Sequence, residues 1–266
     1  MTRVWHQSFT VLEDVGPYVE AMRRHLDARR LPDTTIDFHG MRPGTYPSAY
    51  PGTHIRYSSL SGLHKEQFVA AALQARAEDY DAFLIATIPD TGFEEIRSLV
   101  DLPVVAFGNA SVAFAATLAP TVGIVNFIDA LQPQLRRNMR DYGFGEIVGP
   151  IVSIGRGFTD IVSAYDDPAP LLSAFTVAAR RAIADGAQVI VPGEGPLNIF
   201  LADQGVSRVD DVPVIDSLGV GLALCEVRAR MYRTSGLVPS RRGFFFETPP
   251  APVLEAAREF YRGAAE

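Results

Sequence analysis

The sequence predicts an α/β fold of two pseudo-symmetric parallel-sheet (Rossmann-like) lobes, with the active site in the cleft between them. Three observations predict it. Apolar runs of strand length alternate with segments of helical period along the chain, the pattern of parallel sheets covered on both faces. The length of 266 residues suits one large domain or two of ordinary size. Two segments also echo one another: Tyr80 to Thr87 followed by Asp101-Leu102-Pro103-Val104-Val105, and Gly186 to Glu194 followed by Asp211-Val212-Pro213-Val214-Ile215. Each reads as strand, polar turn, helix and Asp-x-Pro-Val strand, and the shared step favours duplication over chance. The lobes are expected at residues 1–115 plus 218–266 and at residues 116–217.

The first predicted strand is Val4 to Phe9, followed by a helix over Val15 to Ala28 with Val19, Met22 and Leu26 on one stripe. Thr34 to His39 alternates as a second strand. Met41 to Gly62 is rich in Pro, Gly, Ser and Tyr and reads as a long functional loop or lid, with His54 and His64 beside it. Lys65 to Glu78 is a helix. Asp81 to Ala86 is, after its first residue, an apolar run of strand length and reads as a parallel strand buried on both faces. Helix Glu94 to Leu99, strand Pro103 to Phe107 and helix Ser111 to Leu118 complete the first unit. The second unit begins with strand Thr121 to Asn126, helix Ala130 to Tyr142 and strand Ile147 to Ile154. It continues through helix Pro170 to Asp185, strand Val189 to Pro192, helix Asn198 to Gln204 and strand Pro213 to Asp216. Helices Val220 to Tyr232 and Val253 to Arg262 close the chain.

Composition narrows the partners. The net charge is −7, and basic residues occur only as short pairs such as Arg136-Arg137 and Arg241-Arg242, so nucleic acid is not the expected partner. No apolar run reaches the roughly 20 residues of a membrane span, and the first residues lack a signal-peptide core. A cytoplasmic protein is expected, binding a small molecule and assembling as a homo-oligomer. The single cysteine, Cys225, permits no internal disulfide, and its place within a helix reads as a small core residue. No Walker loop, no G-x-G-x-x-G and no metal-type His spacing occurs, so no cofactor and no metal are expected.

Ligands of open parallel sheets bind beyond the carboxyl ends of the strands. Two turns lie there: Thr87 to Gly92, and Pro192 to Asn198. Glu194 stands between Gly193 and Gly195, where backbone can approach a ligand and amides can hold an anion. Partial burial would raise its pKa and fit it for general acid–base work; the bland alternative is a solvated carboxylate at a helix start. Thr87 can hydrogen-bond a substrate carboxylate or carbonyl. Asp90 reads equally as a base or as the cap of the helix near Phe93. Gly108, Asn109 and Ser111 follow the next strand, as helix cap or ligand contact. His6 and Ser8, on the first strand, are candidates to orient substrate, although a lone His at a strand end is more often structural. Asn198 completes the second turn.

Taken in order, Gln7-Ser8-Phe9-Thr10, Tyr80-Asp81-Ala82-Phe83, Pro103 to Gly108, Thr121 to Val125, Val189 to Gly195, Pro213-Val214-Ile215-Asp216 and Ser240-Arg241-Arg242-Gly243 resemble the aspartate/glutamate racemase superfamily, nearest the hydantoin racemase branch. The resemblance implies two pseudo-symmetric lobes and cofactor-independent chemistry. Racemases of this family carry one cysteine on each side of the substrate, and those positions match Thr87 and Glu194 here. With neither a cysteine, the resemblance implies a departure from symmetric two-thiol racemisation. Glu194 becomes the acid–base group, and Asp90 or His6 a second base. Three readings follow: a racemase or isomerase acting on a small carboxylate or hydantoin-like cyclic amide; a hydrolase or decarboxylase on the same scaffold, as the arylmalonate decarboxylases use it; and a non-catalytic small-ligand binder.

Overall fold

The computed structural model describes residues 1–47, 52 and 54–263. The first sheet holds β1 (Thr2–Ser8), β2 (Thr34–His39), β3 (Ala82–Ala86) and β4 (Val104–Ala106), all parallel, in the order β2-β1-β3-β4. The second holds β5 (Val122–Asn126), β6 (Val148–Ser153) and β7 (Val189–Pro192), also parallel, in the order β6-β5-β7. Val214 bridges Ile190 in parallel. The second sheet thus repeats the order of the first, with that single bridge in the place of β4. Ala82 pairs with Val4 on β1, and Val189 pairs with Val122 on β5. Five residues beyond Ala82 is Thr87, and five beyond Val189 is Glu194, so the echo seen in the sequence is a structural equivalence.

Ten helices are formed by described residues: α1 (Gly16–Asp27), α2 (Ser58–Ala77), α3 (Phe93–Leu99), α4 (Phe107–Ala115), α5 (Gln132–Asp141), α6 (Phe158–Ser163), α7 (Ala169–Ala184), α8 (Gly195–Asp203), α9 (Ser217–Ser235) and α10 (Ala251–Gly263). Two apolar clusters cover the sheets, each spanning both. One gathers Trp5, Phe68, Phe83, Phe175 and Phe200; the other gathers Val4, Met22, Leu84, Phe107, Ile124 and Leu218. Every residue of β3 and β7 is buried, which is why those strands read as unbroken apolar runs. Because α9 packs on β3 and β4, we propose the lobes as residues 1–115 plus 218–266 and 116–217.

Several boundaries differ from expectation, and the differences share a cause. Helices α4 and α8 begin directly at the strand ends, at Phe107 and Gly195, where β-type or glycine-rich composition reads as strand or turn. Pro196 in the first turn of α8 suits a helix start. Helix α2 begins at Ser58, inside the stretch expected to be loop, and α6 was not foreseen. The buried stripe of α1 is Tyr18, Ala21, Met22, His25 and Leu26; Met22 and Leu26 lie on it as expected, whereas Val19 is only half-buried at its edge. The strand expected at Pro213 to Asp216 is reduced to the Val214 bridge and to β9 (Val212–Pro213), which pairs antiparallel with β8 (Arg208–Val209). The proposed lid, Met41 to Gly62, falls partly outside the described residues. Among its described part, the Tyr46 ring stacks on His54 at 4.8 Å and its hydroxyl lies 3.3 Å from His64 Nδ1.

Cys225 lies fully buried on α9, and burial pushes its thiol pKa up, which disfavours the reactive thiolate. Replacing it with Ser puts a hydroxyl into apolar surroundings at a cost of about 1–3 kcal/mol. Cys225→Ser should therefore lower the denaturation midpoint while leaving turnover per folded molecule unchanged. Lost turnover at intact stability would place the thiol in the chemistry.

Candidate active site

The carboxyl ends of four strands converge on one small cavity. Its walls are Ser8 to Thr10 after β1, Ala86, Thr87 and Pro89 after β3, Ile128 and Leu131 after β5, Glu194 to Pro196 after β7, and Tyr18 from α1. The enclosed space is about 20 Å³, room for about one water. Three hydroxyls arise from the ends of two neighbouring strands: Ser8 Oγ lies 3.0 Å from Thr10 Oγ1 at the end of β1, and Thr87 after β3 lines the same space. The Tyr18 hydroxyl arrives from the helix side. A Cβ on residue 195 would stand 3.1 Å from Tyr18 Oη and 3.5 Å from the Ala86 carbonyl, so glycine there permits the close approach of β7's turn to α1.

Glu194 is 4% exposed. Its carboxylate accepts hydrogen bonds from the backbone amides of Phe127, at 3.1 Å, and Ile128, at 3.2 Å. Both amides belong to the turn after β5, the parallel neighbour of β7. Burial raises the Glu194 pKa, the two amides oppose that, and nearby Asp129 adds to it; the outcome is about 8. Gly193 does not offer its amide to a ligand, because that group donates to the Val125 carbonyl at 2.7 Å. Its role is steric: a Cβ there would lie 2.7 Å from Asn126 Cβ.

Asp90 makes the corresponding clamp in the first sheet, and not the one expected. It does not cap α3. Its oxygens accept from the amides of Gly108 at 2.7 Å and Asn109 at 2.9 Å, the first turn of α4. Its backbone is left-handed, with φ +51°, which an Asp tolerates better than most residues. Burial, opposed by these amides and by a hydrogen bond from Tyr142, places its pKa at about 7. Asp90 lines not the closed cavity but an open groove of about 770 Å³ that also includes Lys65, Glu94, Gln134 and Tyr142. Pro89 and Leu131 border both spaces.

Of the other residues singled out in the sequence, Ser8, Thr87, Glu194 and Gly195 come together at the cavity. Gly108 is spent on Asp90, and the Asn109 side chain faces a different cavity. Asn198 is a tether: its side-chain oxygen accepts from the Leu218 amide at 2.9 Å, joining α8 to the start of α9. His6 is sealed on the sheet face against Phe38, and burial pushes its pKa down to about 3. Ser111 bonds back to the Phe107 carbonyl within its helix at 2.6 Å. Tyr18, Thr10, Ile128 and Leu131 were not singled out as site residues. Tyr18 was legible only as a polar-tipped aromatic on an apolar helix face. Among the described residues no group of three His, Cys, Asp or Glu could hold a metal ion, and no helix is long and apolar enough to cross a membrane.

With two clamped carboxyls at equivalent sheet ends, the chain can be compared with known proteins. Residues 17–225 match the Asp/Glu/hydantoin racemase family, and the chain belongs to that family. A hydantoin racemase of Paenarthrobacter aurescens is 27% identical over 210 residues, covering 78% of this chain and 85% of the relative. A hydantoin racemase of Rhizobium meliloti is 24% identical over 188 residues, covering 69% and 73%. The fold superposes on an allantoin racemase from Klebsiella pneumoniae with a TM-score of 0.76 at 21% identity, covering 94% of each chain.

The raised carboxyl pKa values fix a pH dependence of stability. Asp90 and Glu194 hold their protons more tightly in the folded chain than in the unfolded one, where the values are 3.8 and 4.5. The stabilisation is complete below those values and is lost as pH rises through about 7 and about 8. Between these limits each group tilts stability downward by about 1.4 kcal/mol per pH unit. Urea denaturation across this range should show that decline, and Glu194→Gln and Asp90→Asn should each flatten it. A wild-type profile flat over the same range would contradict the assignment.

Proposed function

We propose that the chain is a cofactor-independent isomerase that inverts the stereocentre of a small carboxylate or hydantoin-like cyclic amide, with Glu194 as acid–base group. The observation that carries this reading is the Glu194 carboxyl itself: buried, clamped by two amides, with its pKa near the operating range of a general acid or base, at the cavity it shares with Thr87. Relatives named for hydantoin and allantoin act on cyclic amides whose stereocentre bears a hydrogen next to a carbonyl. Removing that proton leaves charge on the carbonyl oxygen, and the hydroxyls of Ser8, Thr10 and Thr87 supply donors to hold it.

Inversion needs a proton returned to the opposite face. Thr87 does not ionise near neutral pH. Of the two groups the sequence offers, His6 is sealed in the sheet. Asp90 is the carboxyl we assign to the second transfer; because it lines the groove and not the cavity, this requires a substrate bound across Pro89, where the two spaces share a wall. One observation favours a second reading: among the described residues, Glu194 is the single carboxyl lining the inner cavity. A one-sided reaction, either decarboxylation or hydrolysis with Glu194 activating water, needs no partner base.

Single-enantiomer and racemic hydantoins, followed by optical rotation and by mass in deuterated water, separate these readings. Inversion changes rotation and exchanges one proton for a deuteron; ring hydrolysis adds the mass of water; a binder changes neither. Decarboxylation, for which a hydantoin has no carboxyl to lose, is read as loss of carbon dioxide from a substituted malonate given in its place. Glu194→Gln keeps shape and removes the ionisable group, so kcat should fall by about 10²–10⁴-fold with KM little changed. Thr87→Ala should raise KM more than it lowers kcat. Asp90→Asn should slow inversion yet retain deuterium exchange in one enantiomer. Near-wild-type kcat in a folded Glu194→Gln protein would remove Glu194 from the mechanism.

A further inference from the structure

Away from the strand-end cavity, a second space of about 370 Å³ opens between α3, α4, α9 and the chain after α9. Arg97, Arg228, Asn109, Ser240 and Phe246 line it. We infer that it is a binding site for a small oxyanion, a carboxylate- or phosphate-bearing molecule recognised by the two guanidinium groups. This does not rest on the reading of Glu194.

Both guanidiniums are held in place by groups that leave donors to spare. Arg97 is sandwiched between Phe93, 4.9 Å from the ring centroid, and Phe246 at 4.8 Å. Its Nε is buried with no hydrogen-bond partner. The carboxylate beside it, Glu94, is 3.8 Å from a terminal nitrogen and 61% exposed, a weak and screened partner. Arg228 donates one hydrogen bond to the Val104 carbonyl. The charged group acting on it is Arg97, of like sign; the neighbouring Cys225 thiol is kept neutral by burial. Two partly desolvated guanidiniums on one cavity, with no carboxylate among its described lining residues, repel each other, and Arg97 Nε is left without an acceptor. An oxyanion satisfies both, and the planar donor fork of arginine matches carboxylate and phosphate oxygens.

The wall that closes the space is itself anchored. Arg241 donates to the carbonyl of Arg97, to the Val100 carbonyl at 2.8 Å and to Asp101 at 2.8 Å, and Thr248 donates to the Ser98 carbonyl at 2.8 Å. These bonds pin the segment carrying Ser240 and Phe246 across the end of α3. The Asp101 carboxylate is thereby occupied by Arg241 and does not neutralise the pair. Ser240 and Asn109 add neutral donors at the rim. Asn109 also links the space to the strand ends, because its backbone amide is one of the two that clamp Asp90.

The test is isothermal titration of the full chain with inorganic phosphate and, separately, with succinate, in buffer matched for ionic strength with chloride. The expected result is one saturable site for at least one of the two probes. Arg228→Gln and Arg97→Gln should each weaken it at least tenfold, and Arg242→Gln, an exposed arginine outside the cavity, should leave it unchanged. Arg228→Lys, which keeps the charge but loses the fork, should bind with intermediate affinity and serves if the Gln variant fails to fold. Ser240→Ala, which gives up only a rim hydroxyl and its bond from the Arg242 amide at 3.2 Å, should weaken binding less than either Gln variant. No binding of either probe, or binding that survives both Gln variants in folded protein, would overturn the assignment.

Discussion

Two backbone amides, those of Phe127 and Ile128, hold the Glu194 carboxyl, and the arrangement of the candidate site depends on that clamp. It works because β5 and β7 are parallel neighbours, so their carboxyl ends emerge side by side with unpaired amides on one turn and a side chain on the other. The same solution appears in the first sheet, where Asp90 after β3 takes the amides at the start of α4, just beyond β4. The two clamps are not equivalent in direction. Glu194 reaches toward the central strand of its sheet and so faces the closed cavity. Asp90 reaches toward the edge strand and faces the groove. A duplicated scaffold thus presents its two buried carboxyls to two connected but different spaces.

Burial and hydrogen bonding pull these carboxyls in opposite directions. Amide donors favour the charged form and burial disfavours it; in both groups burial wins, leaving values of about 7 and about 8. A carboxyl in that range can gain or lose a proton near neutrality at small cost, the condition for acid–base work. The amides meanwhile prevent the neutral side chain from rotating away. Clamping and burial together supply what either alone would not: a carboxyl that is fixed in place and still able to titrate.

Most of the fold was legible because its core strands are buried on both faces. Ala82 to Ala86 and Val189 to Pro192 had to be apolar throughout, and apolar runs of that length between turn residues have few other uses. The sequence echo exposed the repeated topology for the same reason. The placement of Glu194 was legible from the glycines around it. What was not legible were contacts made across the fold. Nothing in the sequence around Asp90 says that its partners lie eighteen residues on, at Gly108. Asn198 looked like a ligand-binding residue because it sits in the right turn, yet its acceptor is needed by the start of α9. Tyr18 was hidden because the expected stripe of Val19, Met22 and Leu26 holds at its last two positions but begins at Tyr18 rather than Val19, a difference that hydrophobic periodicity resolves poorly at a helix start.

The size of the cavity adds a constraint that ties access to chemistry. A five-membered cyclic amide needs several times the space of the single water that about 20 Å³ accommodates. Admission therefore requires the cavity to widen, and the shared walls, Pro89 and Leu131, are where it meets the groove. Pro89 sits on a turn and Leu131 on a short 3-10 helix leading into α5, so neither belongs to a sheet ladder. Widening also admits water to the Glu194 carboxyl, and hydration lowers a pKa that burial had raised. Ligand that expels that water restores the buried environment around the carboxyl. The exclusion of water that narrows the cavity is therefore also what raises the Glu194 pKa.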